Sequence, residues 1–161
     1  MLGNQAVITA QLLELRGNFT EAERFRRVAL DHYVALDNTY RRKYSPSHQL
    51  TRSGRSMVTL AIHRLAVNLA AQGKTGEAEY HARSALNRNL GVAAFSTEDV
   101  SNALAALTYV KLQQGQLATA QRWAELSLAS MEGADIQPYS TSLADRRWLV
   151  SFILGARQRW R

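Results

Sequence analysis

The chain has 161 residues, of which 46% are apolar, enough for one folded domain with its own core and too apolar for a disordered chain. It contains no cysteine, which excludes a disulfide framework and any thiolate metal site or nucleophile. The net charge of +7 lies in two segments, +3 in residues 31–55 and +4 in residues 136–161, and the remainder balances.

Only two prolines and nine glycines interrupt the chain, so helix is favoured throughout. The opening stretch, MLGNQAVITAQLLELRGN, has no basic leader and no long apolar run. It predicts an amphipathic helix ending near Gly17 rather than a signal peptide. No stretch approaches the roughly 20 apolar residues of a membrane span. With the lack of cysteine, this gives the expectation of a soluble, cytoplasmic protein. A second helix follows Gly17, with Thr20 and Glu23 spaced as a capping box. It passes Ala22, Ala29 and Leu30 and extends toward Tyr40. Pro46 disfavours continued helix, so an inserted basic loop is expected over about residues 38–55, carrying Arg41, Arg42, Lys43, Arg52 and Arg55. Its tyrosines and cations could stack on bases and hold phosphates, could bind an acidic partner, or could simply line a loop.

The next pair is expected over about residues 56–90. Leu65, Ala66 and Leu69 lie on its first helix, Gly73 at the turn, and Ala78, Ala85 and Leu86 on its second. Gly73-Lys74-Thr75 looks like the tail of a phosphate-binding loop. That loop needs a glycine five residues earlier and a preceding strand. Asn68 occupies the glycine's place, and the segment before it has helical period, so nucleotide binding is excluded. A third pair over about 97–131 carries Leu107, Thr108, Lys111, Gly115, Ala120, Ser127 and Leu128 in matching places. Beyond Pro138, Ser142 and Asp145 are spaced to cap a terminal helix over about 141–160 that carries Trp148, Leu149, Phe152 and Ile153. If Trp160 matches Phe19, Gln158 falls at its turn. This helix would be either the start of an unfinished fourth unit or a cap whose Trp148 covers the last one.

The three units share a design. Glycine ends the first helix because it adopts the left-handed conformation cheaply. Small residues seven apart on the second helix let the two helices approach closely. Gly73 and Gly115 are 42 residues apart, Gly17 and Gly73 are 56 apart, and Gln158 lies 43 beyond Gly115. Gln72 and Gln114 each precede a glycine. Glu21, Glu23, Glu77 and Glu79 read as acids in or near first turns, favoured by the helix dipole.

This pattern resembles the tetratricopeptide repeat family, with the longer 42-residue spacing of kinesin light chain-type repeats in place of the usual length of roughly 34. The resemblance covers nearly the whole chain and is sharpest at Leu65, Ala66, Leu69, Gly73, Ala78, Ala85 and Leu86. Lys111 departs from it, since a large, often aromatic, residue is usual there. The resemblance implies an all-α, right-handed superhelical solenoid of antiparallel helix pairs, with three repeats (the first over about 4–44) and a terminal capping or truncated-repeat helix. First helices would line a concave groove, placing Leu60, His63, Val67 and Ala71 there, then Asn102, Ala105, Tyr109 and Leu112, then Trp148 and Phe152. Val67, Tyr109 and Phe152 would form an apolar stripe, with Arg64, Arg146 and Arg147 nearby.

The expected function is a protein–protein interaction scaffold with no enzymatic activity, binding a peptide or partner segment in the concave groove, as a regulatory part of a larger protein. Its partner would be a peptide with apolar and acidic residues. The lysine–asparagine clamp with which some family members hold a C-terminal carboxylate is not reproduced by His63, Val67 and Asn102. The alternative is a basic RNA- or small-ligand-binding sensor using residues 40–55, although no established RNA-reading pattern accompanies them. No cofactor is expected. No metal is expected either, because His32, His48, His63 and His81 lack metal-ligand spacing. Exposed repeat ends would allow homo-oligomers.

Overall fold

A computed structural model describes residues 2–90, 96–132 and 141–159. The described residues form seven α-helices and no strand: α1 Leu2–Leu15, α2 Phe19–Lys43, α3 Gln49–Ala71, α4 Thr75–Leu90, α5 Thr97–Gln113, α6 Leu117–Glu132 and α7 Thr141–Arg159. No described helix is long and apolar enough to cross a membrane.

The three glycine turns are built alike. Gly17, Gly73 and Gly115 have φ of 75°, 75° and 71°, the left-handed conformation that the repeat pattern demanded. Each turn closes with the same pair of hydrogen bonds. In the second, Gly73 N donates to Ala70 O at 2.9 Å and Lys74 N to Leu69 O at 3.0 Å. The other two turns repeat those offsets through Gly17 and Asn18, and through Gly115 and Gln116. This is the Schellman closure, which satisfies carbonyls that the helix end would leave unpaired.

Small residues then set the helix contacts. Ala22, Ala29, Ala78, Ala85, Ala120 and Ser127 are all buried, as their spacing of seven required. Ser101 and Ser127 exchange hydrogen bonds, each hydroxyl donating to the other's carbonyl at 2.8 Å. Paired positions run in opposite order along α1 and α2, where Tyr33 bonds Asn4 and Arg26 bonds Glu14, so these helices are antiparallel. Each later helix packs on its chain neighbours, and α3 also packs on α5. Ser56 meets Asp99 and His63 meets Asn102, so α3 and α5 run the same way. At Gly54 a Cβ would come within 3.2 Å of the Asp37 backbone, so α2 and α3 approach closely there.

Five local expectations change. Asn18, not Thr20, caps α2, its side chain accepting from Glu21 N, because the helix begins at Phe19 and Thr20 already lies inside it. The expected basic loop of residues 38–55 narrows to 44–48. α2 runs on through Lys43, and α3 begins at Gln49 with the His48 ring accepting from Leu50 N. Ser142 lies within α7 rather than at its cap, and Gln158 is helical rather than at a turn. Pro138 and Trp160 lie outside the described residues. Trp148 does not cover the last unit: it is 59% exposed and stacks on Phe152 at 5.3 Å, while Leu149 and Ile153 take the buried face.

Candidate functional site

A groove of about 800 Å³ runs across α3 and α5, closed at one end by α1 and α2 and at the other by α7. The repeat register explains its lining. Met57, Asp99 and Ser142 occupy one equivalent position on α3, α5 and α7, and Leu60, Asn102 and Asp145 another. Val67 and Tyr109 share a third. All are one or two turns apart along first helices and present the same face.

Of the residues expected here, His63, Arg64, Val67, Asn102 and Tyr109 line the groove. Leu112 instead packs beside the core of Ala105, Ala120, Ala124, Leu149 and Ile153. Trp148 and Phe152 form an exposed aromatic shelf on α7 outside the enclosed part. The cations of the insert go three ways. Arg41, Arg42 and Lys43 are exposed at the end of α2, with Arg41 paired to Asp37 at 2.8 Å. Arg52 lines the groove, and Arg55 is buried. They do not make a single patch.

Two polar constructions hold the groove floor. At the α5–α7 end, His63 Nδ1 donates to the Asn102 carbonyl at 2.6 Å. The Asn102 side-chain oxygen accepts from Arg146 Nη2 at 2.6 Å, and Arg146 Nε donates to Ser101 Oγ at 3.3 Å. These contacts join α3, α5 and α7. Burial, then the charge of Arg146, pushes the His63 imidazole down to about 3, so the ring is neutral and its Nδ1 carries the proton.

At the other end, Arg26 forks onto Glu14, with Nε to Oε1 at 3.0 Å and Nη2 to Oε2 at 2.5 Å. Asn68 Nδ2 donates to Glu14 Oε1 at 2.9 Å and so brings in α3. Arg26 occupies the position that Ala82 and Ala124 hold in the later units, and Glu14 stands where Leu112 faces Ala124. An ion pair thus replaces an apolar contact only in the first unit. Beside it, Arg64 makes no hydrogen bond or ion pair among the described residues, and its Nε is buried without a partner.

A second set of contacts escaped sequence reasoning. The residue six beyond each of the first two turn glycines reaches the residue just before the next turn, and its third equivalent, Gln121, reaches α7. Glu23 accepts from Gln72 at 2.9 Å and from Lys74 at 2.6 Å. Glu79 accepts from Lys111 at 2.8 Å and Gln114 at 3.3 Å. Gln121 accepts from Arg157 on α7. The repeated Gln72 and Gln114 were the available signal. These glutamates are therefore clasps between units and not merely first-turn acids, and Lys111 is one of their partners.

No protein-family model matches the chain, and no curated protein matches it.

Proposed function

We propose that this chain is a tetratricopeptide-like interaction module, a right-handed superhelical solenoid of three helix pairs and a terminal helix, whose groove holds an extended peptide of a protein partner. The single observation carrying this reading is the groove itself, where one register position after another on successive first helices lines one cavity. Its lining mixes apolar Met57, Leu60 and Val67 with the tyrosine ring of Tyr109 and with hydrogen-bonding heads. That composition suits apolar side chains of a bound segment, with polar groups fixing its backbone. Trp148 and Phe152 continue the same register on α7 and would take a further aromatic or aliphatic side chain. They also offer a face on which two copies could pair. The module binds and does not catalyse, and its setting is cytoplasmic.

The test is binding by the full chain to a capped hexapeptide alternating leucine and glutamate. Tyr109→Ala should weaken that binding about tenfold, because a buried aromatic contact is worth on the order of 1–2 kcal/mol. Equal affinity for wild type and Tyr109→Ala would remove the groove from the mechanism. The alternative, a basic RNA- or small-ligand sensor on residues 40–55, finds less support because its cations diverge. It requires binding that collapses with salt.

A further inference from the structure

We infer that Arg64 is an anion anchor, whose guanidinium takes an acidic side chain of the bound segment at the α1–α3 end of the groove. This rests on the peptide-groove reading above and adds to it the position and charge of one contact.

Four guanidiniums line the groove. Arg26 is forked onto Glu14, and Arg146 is bonded to Ser101 and Asn102. Arg52 stands exposed near the start of α3, about three turns from Arg64. Arg64 alone is partly buried in the cavity wall with no protein partner among the described residues. A buried donor on a charged group is normally paired, so an unpartnered one beside open space signals a missing acceptor.

No neighbour among the described residues supplies that acceptor. Glu14 is engaged elsewhere, its Oε1 accepting from Arg26 and Asn68 and its Oε2 from Arg26, and it acts on Arg64 through its charge alone. Two guanidiniums therefore share one carboxylate. The other acids of the lining, Glu98, Asp99 and Asp145, lie in or near the first turns of α5 and α7, and Asp99 already accepts from Ser56 at 2.7 Å. The groove is thus polarised, with carboxylates where α5 and α7 begin and an excess of positive charge deep along α3, where Arg26 and Arg64 face Glu14. Burial and the charge of Arg26 lower the proton affinity of Arg64 against the pull of Glu14 and Tyr33, and the charges of Arg26 and Arg64 help keep His63 neutral. An incoming carboxylate relieves that repulsion and matches the planar fork of the guanidinium. A phosphate offers the same acceptor chemistry, so the test includes it. A bound segment would lie with its acid toward Arg64 and its apolar side chains toward Leu60 and Tyr109.

The experiment follows the arginine Nε–Hε signals of the full 161-residue chain by NMR, with Arg64 assigned through Arg64→Lys. N-acetyl-glutamate amide is titrated first, then its neutral glutamine counterpart, then inorganic phosphate. The expected result is a saturable shift at Arg64 with the glutamate probe, none with the glutamine probe, and a phosphate shift no tighter than that of the carboxylate. Capped leucine–glutamate and leucine–glutamine hexapeptides form the second arm. The glutamate peptide should bind about tenfold tighter, Arg64→Gln should erase that preference, and Arg64→Lys should restore part of it. No Arg64 shift with the glutamate probe, or an equal shift with the glutamine probe, overturns the anchor. Much tighter phosphate binding overturns the carboxylate assignment. If both peptides bind equally and Arg64→Gln changes neither, the anchor falls while the groove stands. If the probe shifts Arg64 but neither peptide binds, the anchor stands and the peptide reading falls.

Discussion

Arg64 and Arg146 line the same groove from first helices, yet they are held in opposite ways. Arg146 is 7% exposed, and its hydrogen bonds run to α5. Arg64 is partly exposed and bonded to nothing among the described residues. One is part of the frame and the other is left over from it. The comparison separates residues that build a groove from residues that wait for a ligand, a distinction that charge and position alone do not make.

The largest expected effect is on the framed side. Arg146→Ala should destabilise the chain by about 2 kcal/mol, because it leaves the Asn102 side-chain oxygen unsatisfied and opens a void beside α5. The loss is partly offset by removing a buried charge whose pKa burial already lowers. Chemical denaturation measures it, and a change under about 0.5 kcal/mol would show that Arg146 is not structural.

pH sharpens the contrast next. His63 is held at about 3 against an ordinary 6.5, so the unfolded chain binds a proton there that the folded chain refuses. Stability should fall as pH drops from 6.5 toward 3, and His63→Gln should flatten the part of that fall above pH 4.5. The clasp glutamates act lower. At Glu23, burial opposes ionisation, but hydrogen bonds from Lys74, Arg27 and Gln72 outweigh it and hold the carboxyl at about 2. At Glu79, Lys111 and Arg83 do the same against burial. Their folded values lie below the ordinary 4.5, so their contribution is complete above 4.5 and disappears as pH falls toward 2. Thermal melts across pH should therefore show two windows. The double change Glu23→Gln and Glu79→Gln should flatten only the lower one.

The smallest stability effect is at Arg64. Arg64→Gln should change the unfolding free energy by no more than about 0.5 kcal/mol, since it breaks no hydrogen bond or ion pair among the described residues. A large loss of stability would make Arg64 a second Arg146 and dissolve the comparison.

Several elements were legible because their causes are local. The glycine turns, the small residues seven apart and the lengthened second helix all follow from contacts within a few residues. The helix start at Phe19 was missed because Asn18 and Thr20 are both good caps and only the exact turn geometry chooses between them. The basic insert was misjudged because charge density says nothing about direction. Helix continuing through Arg41–Lys43 and restarting before Arg52 sends those side chains to different faces. Trp148 was misplaced because α7 has two apolar faces, and one helix read alone cannot tell which is covered.

Periodicity along one chain thus determined that this protein is helical, where its three glycine turns fall and which residues are small enough to sit between helices. These depend on backbone sterics and on the 3.6-residue turn, which neighbouring residues set among themselves. Only the tertiary structure decided which charges are satisfied. Glu14 meets Arg26 and Asn68, Glu79 meets Lys111, and Asn102 meets both His63 and Arg146 across separations of 12 to 54 residues. A side-chain charge takes whichever partner the packed helices bring within hydrogen-bond reach, and at Arg64 the described residues bring none.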